Sequence, residues 1–353
     1  MKLPEFTHHK IIALVFFYSF VLTGQEGVIE EVFVTAEKRS ESLQDISQAV
    51  TALSDEDIEN KNIESFVDLS AIVPGLTVAK NEGYKTVISI RGVGNETNQN
   101  AIAAPSVAFH MDGIFIASPF ALQTDFIDVE RIEVLRGPQG TLFGQNSTGG
   151  AINVISQKPQ FNSKTGKYDI TFGNYGLVKF RSSNNLPISD NSAARLSLSV
   201  TERDGFSKNI FTGQDLDDAS NINLRGDFLF ELSDTSSLRL FGQHFEVDRN
   251  GSALRGIDDP TPDLRKLSQD TVSKHELTSS VFAGIYESDL GFATLRAMAS
   301  LQEDDILVVR DNDRHNFGDS VLSIPGLGSG SIYQRAEFNP ETSLVDTTTL
   351  EIN

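Results

Sequence analysis

The chain has 353 residues and a formal net charge of −20. It is long enough for two or three domains, and its acidity excludes a nucleic-acid binder, which needs a basic stripe to meet phosphate. It contains no cysteine, which excludes disulfides, thiolate metal sites and acylation as a lipoprotein.

The N-terminus reads as an export signal. Lys2 and Lys10 precede the apolar run "IIALVFFYSFVL", Ile11 to Leu22. That run has the length of a signal h-region and is short for a spanning helix. Cleavage is expected after Gly24, which makes residues 1–24 a signal peptide. No later stretch offers the ~18 uninterrupted apolar residues of a transmembrane helix, so any membrane role falls to strands.

"GVIEEVFVTAEKR", residues 27–39, is a β-branched strip that predicts an extended tail or edge strand. Ser54 with Asp57 three residues on predicts a helix N-cap. A second short helix in "IESFVDLSAI" stops at Pro74-Gly75. From there to Pro159 the chain is strand-like pieces broken by glycine: "KTVISIRGVG", "SVAFHMDGIFI", "RIEVLRG" and "GAINVIS". Residues 25–160 thus read as one small α+β domain with a mixed sheet.

After Pro159 the texture changes to alternation. In "NINLRGDFLFEL", Ile222, Leu224, Phe228, Phe230 and Leu232 share one face, while Asn223, Arg225, Asp227 and Glu231 share the other. Leu196, Leu198 and Val200, then Tyr168, Ile170 and Phe172, behave alike, as do Ala293, Leu295, Ala297, Ala299 and Leu301. Candidates around Phe241 and Phe282 alternate less cleanly. About eight strands of ~10 residues result, the length that crosses a bilayer at a tilt. Short turns sit at 174–176, 188–192, 233–237 and 288–291, and long acidic loops at 204–220, 249–274 and 304–343. With the first strand running outward, every long loop falls at the outer end, the pattern of an outer-membrane barrel. A soluble sandwich would not sort loops by side. The last residues, "TTLEIN", begin a strand that stops in mid-alternation. An unpaired edge is intolerable in lipid, so the chain is expected to be a fragment.

Motif chemistry points away from catalysis. The glycine-rich stretch 137–150 has no lysine of the phosphate-binding kind, and "GVGNET" lacks the third glycine of a dinucleotide fingerprint. His275-Glu276 lacks a second histidine four residues on. "DNDRHNFGD", 311–319, resembles a calcium loop only in its acids. Neither an enzyme nor a cofactor is expected. The acidic loops are expected to repel polyanionic ligands and to hold cations weakly.

Several segments carry a family resemblance. "EEVFVTAEKR", "FVDLSAIVPGLTV", "ISIRGVG", "VAFHMDGIFI" and "DVERIEVLRGPQGTLFGQNSTGGAINVISQKP" resemble, in order and spacing, the N-terminal end and plug domain of a TonB-dependent outer-membrane receptor. Gln145, Ser47 and His110 depart from residues usual in that family. The resemblance implies residues 25–40 as TonB box and linker, 41–160 as plug, and 161–353 as the N-terminal part of the barrel. The implied fold is an α+β plug followed by an incomplete antiparallel transmembrane β-barrel, about eight of an expected ~22 strands.

By the same resemblance Glu31, Val32, Phe33, Val34, Thr35 and Ala36 form the TonB box. The plug contacts are Arg91, Gly92, Asp112, Gly113, Arg131, Glu133, Arg136, Gly137, Pro138, Gly140, Gly144, Gly149, Gly150 and Asn153. The glycines would permit close backbone approach and tight turns, and the charged residues would pair within the plug or with the barrel wall. Implied partners are TonB with ExbB and ExbD, powered by the proton gradient, outer-membrane lipid, and a ferric siderophore or another large nutrient. The rival readings are a secreted soluble β-rich binding protein or adhesin, and a truncated receptor remnant without function.

Overall fold

Two kinds of strand build the protein, short glycine-punctuated ones first and long alternating ones after them. The computed structural model describes residues 33–34, 41–42, 48–81, 85–94, 105–118, 121–123, 125–257, 259, 261–311, 314, 316, 320–322, 332–334 and 338–352. The expected signal peptide, and Glu31, Val32, Thr35 and Ala36 of the expected TonB box, lie outside the described residues.

The first part contains β1 (Phe33–Val34), β2 (Glu41–Ser42), β3 (Val50–Ser54), α1 (Asp55–Asn60), α2 (Phe66–Leu69), β4 (Leu76–Asn81), β5 (Lys85–Ile90), β6 (Val93–Gly94), β7 (Val107–Met111), β8 (Ile114–Phe115), β9 (Val129–Arg136), α3 (Gly140–Phe143) and β10 (Gly150–Ser156). Ser54 caps α1 reciprocally: its hydroxyl accepts from the Asp57 amide at 3.2 Å, and the Asp57 carboxylate accepts from the Ser54 amide at 3.4 Å. The second helix is a single turn, shorter than the ten-residue segment expected, because backbone turns from Ser70 to Val73 follow it directly. A five-stranded mixed sheet runs in the order β3-β9-β10-β7-β8, with β10 and β7 parallel. A separate antiparallel sheet comprises β4-β5-β6. Phe66, Leu69, Ile132, Val134 and Ile152 lie at 0–1% exposure, so this domain is apolar at its centre, as in water.

The second part holds β11 (Thr165–Phe172), β12 (Val178–Ser189), β13 (Ser192–Arg203), β14 (Ser207–Asn209), β15 (Asp215–Leu216), β16 (Ala219–Ser233), β17 (Ser236–Arg249), β18 (Lys266–Leu267), β19 (Lys274–Asp289), β20 (Thr294–Asp311), β21 (Ser320–Leu322), β22 (Ile332–Gln334) and β23 (Phe338–Ile352). Eight of these form one antiparallel sheet, β11-β12-β13-β16-β17-β19-β20-β23. The strands run from 8 to 18 residues, and all but the first are longer than expected. Charges in "EDDILVVRD" put the end of β20 near residue 304, but its ladders carry on to Lys274↔Val309 with β19 and Asp311↔Phe338 with β23. The third long loop therefore starts after Asp311, and Ala293 precedes its strand. The first two long loops are joined to each other: β14 pairs in parallel with β18, and the buried Asn209 amide donates to the Gln269 carbonyl at 2.9 Å.

This sheet is inverted relative to a water-soluble one. Leu224, Leu232, Phe282 and Leu301 are 50–61% exposed, whereas Asn223, Arg225 and Asp227 are each 2% exposed. A soluble sandwich would cover the apolar face. Here the polar face meets the first domain and the apolar face is bare, as a strand facing lipid on one side requires. Among the described residues no helix is long and apolar enough to cross a membrane. The imperfect alternation of β17 and β19 has a packing cause. Their inner residues Phe241, Val281, Ala283 and Ile285 join one apolar cluster with Met111, Ile114 and Ile116 of the plug-like domain.

Candidate functional site between the two sheets

The contact between the two sheets is built around one corner. Strands β7 and β8 are joined by Asp112 (φ 53°) and Gly113 (φ 87°), flanked by the pair Met111↔Ile114. Two successive residues at positive φ are what a two-residue type I′ hairpin demands, and Asp-Gly supplies them. The turn aims the Asp112 carboxylate at the wall. Arg225 Nη2 donates to Asp112 Oδ2 at 2.7 Å and Arg239 Nη1 donates to Oδ1 at 3.2 Å. Asp227 accepts from Arg239 Nε at 3.0 Å and from Arg225 Nη2 at 3.1 Å. All four residues are at most 5% exposed.

The cluster is balanced: two carboxylates face two guanidiniums, and the residual donors are used. Arg225 donates to Gln243 Oε1 at 3.2 Å and lies 4.3 Å from the centre of the Phe241 ring. The Ser156 amide donates to Asp112 Oδ1 at 3.0 Å. Burial alone would raise the Asp112 carboxyl, but Arg239, Arg225 and the Ser156 amide outweigh it and hold it at about 2. Asp112 is therefore a fixed anion at neutral pH.

Other contacts flank this cluster. Arg195 Nη2 and the Ser197 hydroxyl donate to Asp128 at 2.6 and 2.7 Å. Lys179 bridges Glu64 at 3.0 Å and Asp125 at 3.2 Å. Gln302 clasps the chain as it leaves β8 at both amide ends, donating to the Phe115 carbonyl at 2.6 Å and accepting from the Ala117 amide at 3.3 Å. Each contact joins a plug-side group to an inward-facing polar residue of the wall.

The expected plug contacts divide into several groups. Asp112 and Gly113 meet the wall, where Arg296 and Met298 lie within 3.7 Å of the place a Gly113 Cβ would occupy. Arg131 and Glu133 pair with each other at 2.9 Å inside the first domain. Arg131 and Asn153 line a cavity of about 120 Å³ whose far side is Arg239, Glu287 and Arg296 of the wall. Arg91 and Arg136 form no ion pair among the described residues. Arg91-Gly92 is a second corner at positive φ, between β5 and β6. Gly149 and Gly150 are needed for close approach: an added Cβ would stand 2.8 Å from the Val93 carbonyl and 2.2 Å from the Leu135 carbonyl. Gly137 and Gly144 have positive φ. Pro138 and Gly140 are exposed, and a Cβ on Gly140 would meet nothing within 4 Å, so packing gives no reason for that glycine.

Of the expected TonB box, the structure describes Phe33 and Val34 as a strand pairing with Glu41–Ser42. Sequence reasoning did not single out Arg195, Arg225, Asp227 or Arg239. Their signal was present as charged residues on the polar face of alternating strands, but nothing local showed that this face is the buried one.

Residues 42–151 match the family model described as TonB-dependent Receptor Plug Domain. The pesticin receptor of Yersinia enterocolitica is 33% identical over 136 residues, covering 38% of this chain and 19% of the relative. The iron-regulated outer membrane virulence protein of Vibrio cholerae is 33% identical over 136 residues, covering 37% and 20%. The chain thus spans about a fifth of the length of the curated relatives it matches. The solved ferripyoverdine receptor of Pseudomonas aeruginosa superposes with a TM-score of 0.69 at 16% identity, over 91% of this chain and 41% of that one. That likeness shows a shared fold across the plug and wall sheets.

Proposed function

We propose, from the premise that this chain belongs by its plug domain to the TonB-dependent receptors of the Gram-negative outer membrane, that it forms the plug and part of the wall of an active transporter for a ferric siderophore. Residues 25–40 are box and linker, 41–160 the plug and 161–353 the first portion of the barrel. The observation that carries the reading is the inverted wall, apolar outside and polar inside, with a plug bonded to its polar face. Relatives named for iron regulation and for ferripyoverdine favour a ferric chelate as cargo.

In this reading a scarce ligand binds the outer loops and plug apices. The strip Glu31–Ala36 then adds a strand to a sheet of TonB, which draws on the proton gradient through ExbB and ExbD. The short β1–β2 pairing supports the exchange, because only two residue pairs need be given up. The plug is held to the wall by an apolar cluster and by ion pairs and hydrogen bonds, and the polar contacts can be remade with water as part of the plug moves. Val34→Pro tests the box, since proline removes a strand donor. In the intact receptor it is expected to abolish uptake of the ferric ligand under iron limitation, while surface binding persists. Unchanged uptake would sink the assignment.

A further inference from the structure

At the outer end of the wall lies a cavity of about 250 Å³, between the plug strand β4 and the outer ends of β13, β17, β19 and β20. Its lining includes Lys80, Arg203, Arg249, Lys274 and Arg310, against two carboxylates, Asp217 and Asp218. The chain as a whole has 49 acidic and 29 basic residues, so a five-to-two basic lining runs against its background. Both carboxylates are occupied with loop backbone: Asp217 accepts from the Ala253 amide at 3.1 Å and Asp218 from the Asn250 amide at 2.9 Å. Lys274 pairs with Glu276. Among the described residues, Lys80, Arg203 and Arg249 form no ion pair.

The two arginines are held by neutral groups at hydrogen-bond distance, with the charges of Asp125 and Asp218 acting on Arg249 from further off. Arg249 donates through Nε to Asn221 Oδ1 at 3.1 Å. Arg203 donates to the Asp217 carbonyl at 2.6 Å and lies 5.0 Å from the centre of the Phe206 ring. A guanidinium has five donors, so each keeps donors for a ligand, and its ordering cost is met before the ligand arrives. Lys80 is exposed at the rim of the cavity. The packing around it, and then the charge of Arg249, lower its affinity for its proton against the opposing pull of Asp125. An arriving anion would relieve that repulsion.

We propose that this cavity is an anion subsite and that the ligand taken up is itself anionic, presenting carboxylate or comparably charged oxygens to Lys80, Arg203 and Arg249. The inference rests on the transport reading above and adds the charge of the cargo. It runs against the expectation that acidic loops disfavour polyanions, because basic groups line this cavity. The volume is below the roughly 300–1,000 Å³ of a pocket that swallows a drug-sized ligand. The subsite therefore grips one charged face, and the rest of the ligand occupies open lumen. Arginine forks match carboxylate geometry, and the pairing strengthens where water is scarce.

The test is equilibrium binding to the intact protein in detergent micelles, with iron(III)–citrate and an iron(III)–tris-catecholate as anionic probes and iron(III)–desferrioxamine B as the cationic one. At least one anionic chelate is expected to bind at least tenfold more tightly than the cation and to weaken as salt is raised. Lys80→Gln and the double variant Arg203→Gln/Arg249→Gln are expected to raise its Kd at least tenfold. Arg249→Lys, which keeps the charge, is expected to retain most of the affinity. Retained resistance to heat in mild detergent shows that the variants are folded. The proposal is overturned if the cation binds as tightly as the anions, if the neutralised variants bind unchanged, or if no anionic probe is held. Citrate without iron, bound with the same dependence on Lys80 and Arg249, would keep the anion subsite and remove the ferric reading. A cationic ferric chelate that is bound and transported would do the reverse.

Discussion

The plug and the wall follow opposite burial rules within one compact unit, Val32–Asn353. In the plug, Ile132, Val134 and Ile152 are fully buried. In the wall, Leu224 and Phe282 are open while Arg225, Asp227 and Arg239 are buried. Both arrangements obey the same physics, because apolar area is withdrawn from water and polar groups are withdrawn only with partners. What differs is the solvent outside. In the proposed reading the wall has lipid on one side, and its polar face is turned to the plug, so its charged residues must find partners there. Asp112 is where that requirement is most concentrated.

The largest expected effect breaks the comparison at that point. Asp112→Ala leaves Arg225 and Arg239 buried with only Asp227 between them. Removing one partner of a buried ion cluster costs about 3–5 kcal/mol, and the loss should fall on plug docking. Limited proteolysis of the variant in micelles is expected to cut the plug while the wall stays resistant. Equal resistance to wild type would mean that the cluster is not what fastens the plug. The pH dependence should carry the same signature. The Asp112 carboxyl lies at about 2 when folded and 3.8 otherwise. Its contribution is therefore complete above about pH 4 and is lost as pH falls through the window from about 4 to about 2. Asp112→Asn is expected to remove that part of the acid sensitivity.

The alternating segments and the plug motifs were legible in the sequence, because each is a local pattern. Which wall face is buried came only through the barrel reading and not from the alternation itself, since Arg225 next to Gly226 reads the same in a soluble sheet. The ion cluster was beyond local reading as well. Asp112 and Arg239 are 127 positions apart, and only the β7–β8 corner and the wall register bring them together. The overrun of β20 past Asp304 was hidden for a related reason. A charged run looks like loop until both neighbouring strands are seen to pair with it.

A charge on the bare face is the next step down. Leu224→Arg places a guanidinium on the apolar side of β16, one residue from the buried Asn223 and Arg225. Near the bilayer midplane such a change costs about 2–4 kcal/mol. Folding into vesicles, followed by urea titration, is expected to show that loss, with plug proteolysis unaffected. The same titration in a soluble sandwich would show a core lesion instead. No loss of stability in vesicles would mean that this face does not meet lipid.

The smallest effect tests whether plug and wall are energetically separate. Ser54 closes the first turn of α1 through its reciprocal bonds with Asp57. Ser54→Ala leaves amides at the helix start without a side-chain acceptor, at a cost of about 0.5–2 kcal/mol. The residue stands at the junction of α1 and the edge strand β3, far in the chain from the Asp112 corner, and among the described contacts its side chain bonds only to Asp57. If the plug loosens in parts, hydrogen exchange is expected to speed up in α1 and β3 while β7, β8 and the wall strands keep their protection. The polar fastenings at Asp112 and Asp128 would then hold the remainder in place as the N-terminal edge opens. If protection instead falls equally in β3, β8 and β16, plug and wall unfold as one cooperative block. Motion of part of the plug would then require breaking the buried ion cluster from the start.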